Sequence, residues 1–253
     1  LTQESRLFFD LVAGPECFEG PVPQIFEWYP GDVVIDGQSL SDVGFRKKGL
    51  IGSMSWTRPS LKVDTDRFVD GQEFPDGTEH FTLNNNNQDI SRIHTCMAYA
   101  VFERAGVAGP RCAFATVAVN GESKGVYSNV QPIKKAFLRE SFGSDDGVLY
   151  EGTASDFDAE WLVTFEIKTD GGTLEPLEHL ATALEADDDA LIDALEAVVD
   201  LDAFITMWAT ESLIGHWDGY ASGANNFYVY QRPEDGLLQF IPWGADAVFE
   251  PGQ

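Results

Sequence analysis

Short runs of alternating apolar and polar residues fill the first half of the chain, and glycine-containing turns separate them. Such runs are typical of antiparallel strands. Asp36-Gly37 and Asn120-Gly121 each lie between two of these runs, and both dipeptides readily adopt the positive φ angles that a two-residue hairpin turn requires. We therefore predict hairpins over 32–46 and 113–130, with a further strand at Ser60–Thr65.

One helix is predicted between the hairpins, over 89–105. Asp89 is placed to cap its first turn, and Gly106 is placed to end it. Apolar residues at helical spacing are expected to face the core: Ile90, Ile93, Met97 and Val101. The residues just before the helix, Asn84–Asn87, are predicted to form a polar loop.

The second half of the chain contains longer periodic segments, which predict helices. These segments are 134–142, 174–186, 188–199 and 201–214. Asp200 is expected to cap the last of them, since aspartate readily accepts a hydrogen bond from the first turn of a helix. In the same helix Phe204, Ile205 and Trp208 are expected to face inward.

Three extended segments complete the second half: 149–152, 161–168 and a final hairpin over 227–243. The order of elements predicts an α+β fold, since strands and helices are segregated along the chain. We predict a single domain over 1–253, with a β-rich N-terminal lobe at 1–133 and a more helical C-terminal lobe at 134–253.

The charge of the chain limits its partners. Its 42 acidic residues outnumber its 16 basic residues, which gives a net charge of −26. Such a field repels nucleic acid and anionic lipid, and it favours metal ions and cationic partners. No apolar run approaches the roughly 20 residues that a membrane-spanning helix needs. Leu1–Ser5 resemble neither a start nor a signal peptide, so we expect a domain excised from a longer protein.

The cysteines are three in number and form no CxxC motif. This argues against a structural zinc site. Cys96 lies on the apolar face of the predicted helix and is expected to be part of the core. Cys17 and Cys112 could form a disulfide, a choice that the sequence does not decide.

Candidate chemistry is concentrated near the end of the chain. Asp218 follows the apolar helix that ends at Ile214, and Asn225-Asn226 precede an aromatic strand. Asp246 follows the next strand. Carboxylate and amide oxygens are the ligands that Mg²⁺ prefers, and phosphates usually complete its coordination. This stretch therefore predicts a site for a divalent metal and a phosphate-bearing ligand.

A second candidate region lies between two predicted strands of the first half. It contains Lys48, Gly49, Gly52 and Ser53, and Lys62 lies on the strand that follows. Glycine and small hydroxyl residues allow backbone N–H groups to approach phosphates closely, and a lysine adds a point charge. The competing interpretation is an ordinary turn, which is the commoner use of such a loop.

Ten short motifs taken together resemble the CotH (spore coat protein H) protein kinase family, in order from about Val33 to Phe249. They are Asp36-Gly37, Val43-Gly44, Lys48-Gly49, Arg58-Pro59-Ser60-Leu61-Lys62, Asn120-Gly121-Glu122, Gly125-Val126-Tyr127, Leu149-Tyr150-Glu151, His216-Trp217-Asp218, Asn225-Asn226-Phe227-Tyr228-Val229-Tyr230 and Ile241-Pro242-Trp243-Gly244-Ala245-Asp246. The resemblance implies a two-lobed, atypical protein-kinase-like fold. It also implies binding of ATP with Mg²⁺ or Mn²⁺, phosphorylation of Ser or Thr in a protein substrate, and a place in the cell envelope or outside the cell.

The resemblance also implies roles for particular residues. Asp218 would be the catalytic aspartate, with His216 two residues before it as in a kinase His-x-Asp pattern. Asp246 and one of Asn225 or Asn226 would bind the metal. Phosphate binding would fall to Lys62, with Lys48 as runner-up, and to Gly49, Gly52 and Ser53, while the connector from Gln131 to Ile133 would lie beside the adenine.

Three positions depart from the family pattern. Gly244 stands where many members have a further aspartate, and Arg58 stands where a lysine is common. The predicted helix offers Ile93 and His94 where a glutamate that pairs with the lysine is expected. Two alternatives to a protein kinase therefore stay open. One is a kinase-fold enzyme that transfers AMP or activates a carboxylate for ligation, and the other is a non-catalytic cell-envelope scaffold.

Overall fold

The structure is a computed structural model that describes residues 20–21, 24–49 and 53–250. It confirms a mixed α+β fold that is rich in antiparallel strands. The chain divides into two compact units. The first is formed by Gln24–Cys96 and Arg111–Pro132, and the second by Met97–Pro110 and the residues from Ile133 onward.

An antiparallel sheet builds the first unit. Its strands are β1 (Tyr29–Ile35), β2 (Gln38–Lys48), β3 (Ser60–Asp64), β4 (His80–Asn84), β5 (Cys112–Val119) and β6 (Glu122–Val130), in the spatial order β1-β2-β3-β4-β6-β5. Both predicted hairpins are confirmed. Asp36 and Gly37 have φ of 49° and 81°, and Asn120 and Gly121 have φ of 51° and 79°. These positive angles match the twist of the flanking strands.

Strand β4 was not predicted, and the residues after it are not a simple polar loop. Asn85 and Asn86 are buried, with exposed fractions of 1% and 3%. The Asn85 side-chain amide donates to the carbonyl oxygens of Ser53 and Arg58, both at 2.8 Å. Its oxygen accepts from the backbone N–H of Asn87. Asn85 thus fixes the chain between β2 and β3, whereas the side-chain amide of Asn86 donates to the carbonyl oxygen of Arg92 at 3.4 Å.

Helix α1 runs over His94–Arg104, so the predicted start at residue 89 is wrong. Asp89 instead closes a turn, in which its carboxylate accepts from the backbone N–H groups of Ser91 and His94, both at 2.8 Å. Ile90 therefore lies before the helix and is fully exposed. Ile93 and Met97 are also exposed, and the buried face of α1 is Thr95, Ala98, Tyr99 and Phe102. The apolar spacing from Ile90 had selected the wrong stripe.

A disulfide joins Cys96 at the start of α1 to Cys112 at the start of β5. This corrects the prediction that Cys96 is a plain core cysteine, and it decides the open question of Cys112, whose partner is Cys96 rather than Cys17. Cys17 lies outside the described residues. The pairing was hidden because it depends on a turn of the chain at 105–111 that brings α1 back to β5, and no sequence pattern specified that contact.

The second unit combines a smaller antiparallel sheet with helices. Its strands are β7 (Val148–Gly152), β8 (Glu166–Ile167), β9 (Phe227–Gln231) and β10 (Leu238–Pro242), in the order β10-β9-β7-β8. Its helices are α2 (Lys135–Phe142), α3 (Glu175–Leu184), α4 (Leu191–Glu196), α5 (Leu201–Ile214) and α6 (Tyr220–Gly223). The final hairpin and the positions of the longer helices agree with prediction. The predicted extended piece at 161–168 is instead a turn of 3₁₀ helix, Leu162–Thr164, followed by β8.

Helix α5 begins as predicted, since the Asp200 carboxylate accepts from the backbone N–H of Ala203 at 3.2 Å. Its inward face was predicted incorrectly, because Ile205 and Trp208 are about half exposed. The buried residues are Met207, Thr210, Glu211 and Ile214. This helix is apolar on nearly every side, so its pattern does not identify the face that packs inward.

An aromatic cluster joins the first turn of α5, the short helix α6 and the start of β9. Tyr220 lies 4.7 Å from Phe227 and 5.4 Å from Phe240, measured between ring centroids. Phe204 on α5 lies 4.7 Å from Phe240. Phe157 contacts Phe227 and Phe240 from the β7–β8 connection. Because close ring packing tolerates little displacement, the cluster holds the loop between α5 and β9 in one position.

Candidate functional site

The loop that carries Asp218 is short and constrained at both ends. Helix α5 ends at Gly215, whose φ of 65° reverses the chain and lets its N–H cap the helix. The single turn of α6 follows Gly219, and Ala224 and Asn226 then adopt left-handed conformations with φ of 46° and 52°. Non-glycine residues in this region are uncommon and are concentrated at functional sites.

Both neighbouring asparagines bind the carboxylate of Asp218. The side-chain amide of Asn225 donates to Oδ1 at 3.0 Å, and that of Asn226 donates to Oδ2 at 2.8 Å. Asn226 also donates to the Asp218 backbone carbonyl at 2.8 Å. The carboxylate of Asp218 is therefore fixed in orientation, and the structure brings together the three polar residues that the sequence placed there.

The two asparagines differ in what their side-chain oxygens contact. Oδ1 of Asn225 accepts a hydrogen bond from the backbone N–H of Ala154 at 3.2 Å. Oδ1 of Asn226 accepts no hydrogen bond from any residue that the structure describes. Its position faces Gly244, because a Cβ added there would lie 2.6 Å from that oxygen. The sequence left the choice of metal ligand open, and this difference favours Asn226.

The segment that carries Asp246 lies beside Asn226. The backbone N–H of Trp243 donates to the Asn226 carbonyl at 3.0 Å, and the N–H of Asp246 donates to the Gly244 carbonyl at 2.8 Å. Gly244 has a φ of 58°, and a side chain there would collide with Asn226. In this chain, glycine at 244 is thus required by the position of Asn226, which gives a structural reason for the missing family aspartate.

Tyr99 supports the same segment and was not predicted. Its ring is buried on α1, and the backbone N–H groups of Ala245 and Gly244 point at its hydroxyl oxygen. Burial raises the pKa of this phenol well above its usual value of 10, and the negative charge of Asp246 raises it further. The hydroxyl therefore stays neutral, and its oxygen is placed to accept hydrogen bonds from the backbone of Gly244 and Ala245. The only sequence signal for this role was the place of Tyr99 on the same helix face as Ala98 and Phe102.

Glu211 and His216 lie next to the Asp218 loop and are almost fully buried, with exposed fractions of 0% and 1%. The burial of His216 indicates a structural role for this side chain. Glu211 was missed because a single acid inside an apolar helix is usually exposed. A carboxylate without solvent needs partners, and that of Glu211 meets Ala221 and His216, on either side of Asp218.

In the first unit, the two candidate phosphate lysines share one face of the sheet. Lys62 is paired across the strands with Arg46, and Lys48 is paired with Ser60. Directly opposed residues of an antiparallel pair project from the same face. Lys48 Nζ donates to Asn84 Oδ1 at 2.5 Å. Arg46, Lys48 and Lys62 thus concentrate positive charge on this face of an otherwise acidic chain.

Part of the predicted glycine–serine loop is also observed. Gly49 has a φ of 111°, and a Cβ at this position would collide with the Ser53 hydroxyl. Gly49 and Ser53 therefore lie next to each other, and the side-chain amide of Asn85 donates to the carbonyl oxygen of Ser53. Gly52 lies outside the described residues.

Arg58 has a structural role in this sheet. Its guanidinium donates to the carbonyl oxygens of Lys124, at 2.8 Å, and of Val126, and it lies 4.9 Å above the ring of Tyr127. A planar group with several donors suits this bridging contact better than a lysine does. The family departure at residue 58 therefore coincides with a residue that ties its loop to β6.

The two ends of the predicted connector, Gln131 and Ile133, make different contacts. Gln131 exchanges hydrogen bonds with the backbone of Arg111, accepting at its side-chain oxygen at 3.2 Å and donating from its backbone N–H at 2.8 Å. Ile133 is buried in an apolar cluster with Phe137, Leu138 and Tyr228. A ligand beside this segment would therefore meet its backbone rather than these side chains.

Within the described residues, no three or more His, Cys, Asp or Glu side chains form a metal-binding group. Mg²⁺ is usually held by one or two carboxylates together with substrate phosphates and water. Asp246 and Asn226 offer oxygen donors of the kind that suit Mg²⁺.

Comparison with known proteins shows the family of the chain. Residues 35–252 match the model of the family described as CotH kinase protein, so the chain belongs to that family. Two relatives are similar over much of its length. One is the inner spore coat protein H of Bacillus subtilis (strain 168), 25% identical over 189 residues, which cover 68% of this chain and 51% of that protein.

The second relative is invasin CotH2 of Rhizopus delemar (strain RA 99-880). It is 20% identical over 200 residues, which cover 72% of this chain and 34% of the relative. The chain thus spans about half the length of the first relative and about a third of the second. The similarity therefore concerns the region that contains the candidate site, and not the whole of either relative.

Proposed function

We propose that the protein transfers the γ-phosphoryl group of ATP to a Ser or Thr hydroxyl of a protein substrate, with a divalent metal ion. The observation that carries the proposal is the Asp218 carboxylate held between the amides of Asn225 and Asn226, with the Asp246 segment bonded to Asn226. Membership of the CotH kinase protein family supports it. We further propose that 1–253 is one kinase-like domain whose lobes are 1–133 and 134–253.

Asp218 would orient the acceptor hydroxyl and take its proton. Each carboxylate oxygen has two lone-pair positions, and one amide hydrogen bond occupies one of them. Both oxygens therefore keep a position for a substrate hydroxyl. Because the two amides fix the plane of the carboxylate, the geometry of the transfer is set before the substrate arrives, which is the main source of catalysis in phosphoryl transfer.

Asp246 and Asn226 would hold the metal, and Asn225 would support Asp218. Oδ1 of Asn226 is available, whereas Oδ1 of Asn225 already accepts from Ala154. A bound Mg²⁺ or Mn²⁺ would neutralise the charge that develops on the phosphates. Tyr99 would keep the Asp246 segment in place through the backbone of Gly244 and Ala245.

The phosphates of ATP would also need positive charge from the protein, because the net charge of the chain is −26. Lys62 remains our choice for this role. Lys48 is second, because Lys62 lies on the strand that follows the glycine–serine loop. Gly49 and Ser53 would approach the phosphates through the backbone, and the backbone of 131–133 would lie beside the adenine.

We propose that the protein acts in the cell envelope or outside the cell. The names of the two relatives refer to a spore coat and to an invasin, both of which concern the cell surface. The Cys96–Cys112 disulfide supports the same location, since disulfides persist in oxidising compartments. No helix in the described part of the chain is long and apolar enough to cross a membrane.

The test is incubation with ATP labelled at either the γ or the α phosphate, in the presence of Mg²⁺ or Mn²⁺ and a serine-rich protein. We expect γ label alone to reach the protein, and Asp218→Ala or Asp246→Ala to reduce transfer by about 10³-fold. Asp170→Ala, at an exposed acid on the β8–α3 connection, is the control and should retain activity.

Each other outcome identifies an alternative. Transfer of the α label would indicate AMP transfer or activation of a carboxylate. Nucleotide that neither reacts nor raises the melting temperature at millimolar concentration would indicate a scaffold, because a ligand that binds the folded state stabilises it. Transfer of γ label that survives both substitutions would exclude this site.

A further inference from the structure

Glu211 lies in the last turn of α5 and contacts both flanks of the loop that carries Asp218. Its Oε2 accepts from the backbone N–H of Ala221 at 2.8 Å. Its Oε1 lies 3.4 Å from Nδ1 of His216. His216 is two residues before Asp218, and Ala221 is three residues after it. One buried carboxylate therefore spans the loop from beneath.

This arrangement is not the one that simple core packing would select. Both side chains are fully buried, and Oε1 of Glu211 and both ring nitrogens of His216 have no hydrogen-bond partner among the described residues. A buried carboxylate or imidazole in this state is costly, whereas an apolar side chain of similar size would carry no such cost. Packing of the core alone therefore does not explain why polar atoms face each other here.

Gly219 makes the contact possible. A Cβ at this position would collide with His216 Nδ1 and would lie 2.9 Å from Glu211 Oε1. The backbone next to Asp218 therefore packs directly against the facing atoms of the pair. A shift of either side chain would move the residue that adjoins Asp218.

We propose that Glu211 is a positioning residue for the phosphoryl-transfer site. It fixes the His216 ring and the Ala221 N–H, and so holds Asp218 in place between them. A carboxylate only accepts hydrogen bonds, so the facing Nδ1 of a neutral His216 carries the proton. The 3.4 Å separation is longer than a hydrogen bond, and such contacts often shorten when substrate binds. The effect on catalysis rests on the proposed function, whereas the position of Glu211 beneath the loop does not depend on it.

The first experiment uses the ligand-free protein with ¹⁵N-labelled histidine and therefore does not depend on activity. Two-bond couplings between ring nitrogens and hydrogens should show that His216 is the Nδ1–H tautomer, with its signals assigned by their loss in His216→Gln. In Glu211→Gln the single side-chain oxygen is needed by Ala221 N–H, so the new amide faces Nδ1 and donates to it. We expect His216 to change to the Nε2–H tautomer.

The same samples report on Asp218. The side-chain amides of Asn225 and Asn226 donate to its carboxylate, so their NMR signals should shift in Glu211→Gln. Wild-type His216 in the Nε2–H form, or amide signals that are unchanged in Glu211→Gln, would overturn the proposal. These results stand whether or not the protein proves to be a kinase.

Kinetics then test the link to catalysis. We expect Glu211→Gln to lower kcat by about 10-fold to 100-fold, with the KM for ATP nearly unchanged, because loop position affects the reacting geometry more than nucleotide binding. Glu211→Met keeps the volume of the side chain without its polarity and should be at least as impaired. Full activity of Glu211→Met would show that the residue only fills space. An inactive wild-type protein that still shows the NMR response to Glu211→Gln would contradict the proposed function rather than this inference.

Discussion

The candidate site in the second unit and the lysine-bearing face in the first unit were both recognised from short motifs. They differ in the partners that their polar side chains bind. In the second unit, Asp218, Asn225 and Asn226 bind one another directly. In the first unit, Lys48 binds Asn84 and Arg58 binds the backbone of β6. The polar groups of the Asp218 site are organised around each other, whereas the residues around the lysines are organised around the sheet.

This difference has a physical origin. The Asp218 site is assembled from one short loop and one hairpin, so its geometry is determined by local turns and by the aromatic cluster beneath it. The phosphate-binding candidates come from separate strands, and a cation on such a face takes whichever acceptor is nearest until a ligand replaces it. The assignment of Lys62 over Lys48 is therefore the part of the comparison that is easiest to break.

The largest expected effect concerns those two lysines. Lys62→Met should lower kcat/KM for ATP by about 10-fold to 100-fold, which corresponds to the loss of one hydrogen bond to a charged group. Lys48→Met should lower it less, because we assign the main phosphate contact to Lys62. Steady-state kinetics with varied ATP measure both values.

Lys135→Met provides the matched control, since Lys135 is exposed at the start of α2. Its kcat/KM should equal that of the wild type. A larger loss in Lys48→Met than in Lys62→Met would reverse the assignment. Wild-type activity in both variants would show that this face of the sheet does not bind ATP.

Removal of the disulfide should produce the next largest effect. Cys96 and Cys112 are 16 residues apart, and closing a loop of this length stabilises a fold by about 3 kcal/mol. The double variant Cys96→Ser, Cys112→Ser should lose about this free energy of unfolding, measured by urea denaturation. Wild-type protein in reductant should behave as the variant does. A free energy of unfolding that reductant does not change would show that these cysteines are not paired.

Substitution of Gly244 tests the tight contact with Asn226. Gly244→Ala should lower the free energy of unfolding by about 1–3 kcal/mol, because it adds a clash to an unfavourable left-handed conformation. Gly236 has a φ of 78° with open space around it, so Gly236→Ala carries only the conformational cost, about 1 kcal/mol.

Thermal and urea unfolding of the two variants, side by side, isolate the contact. We also expect Gly244→Asp, which restores the acid common in the family, to reduce activity by displacing Asn226. A gain in activity for Gly244→Asp would contradict the account of why glycine occupies this position.

The smallest expected effect is at Asp89. Burial raises the pKa of this carboxyl, but hydrogen bonds from the Ser91 side chain and the His94 backbone outweigh burial and hold the pKa below 3.8. A folded-state pKa below the unfolded value means that Asp89 stabilises the protein above about pH 4, and that this contribution disappears as the pH falls through the lower folded pKa.

Asp89→Asn should therefore be less stable than the wild type by about 1 kcal/mol at pH 7, and the difference should shrink toward pH 2. Urea unfolding at several pH values measures this, with the exposed Asp70→Asn as control. A difference that is constant with pH would show that the charge of Asp89 has no part in it.

Turn chemistry carried most of the successful prediction of the fold. The hairpins at Asp36-Gly37 and Asn120-Gly121 and the Asp200 cap were predicted because each depends on a few adjacent residues. The start of α1 was predicted wrongly because an aspartate closes a turn and caps a helix by the same kind of hydrogen bond, and Asp89 closes a turn. The Cys96–Cys112 pair failed because it depends on a contact between elements that no local pattern encodes.

The candidate site divides in the same way. The motif residues Asp218, Asn225, Asn226 and Asp246 could be named from the sequence because polar residues are concentrated there. Glu211 and Tyr99 could not be, since both occur among apolar residues of helices and their importance lies in the backbone groups that they meet after folding. Supporting residues of this kind are visible only when burial and hydrogen bonding are known together.

The most direct test of the central claim is a crystal structure with Mn²⁺ and a non-hydrolysable ATP analogue, in which anomalous scattering locates the metal. We predict a metal ion within about 2.3 Å of the Asp246 carboxylate and of Asn226 Oδ1, with Asn225 still bound to Asp218. A metal ion held by neither Asp246 nor an asparagine of this pair, with nucleotide bound elsewhere, would contradict the assignment of this site to phosphoryl transfer.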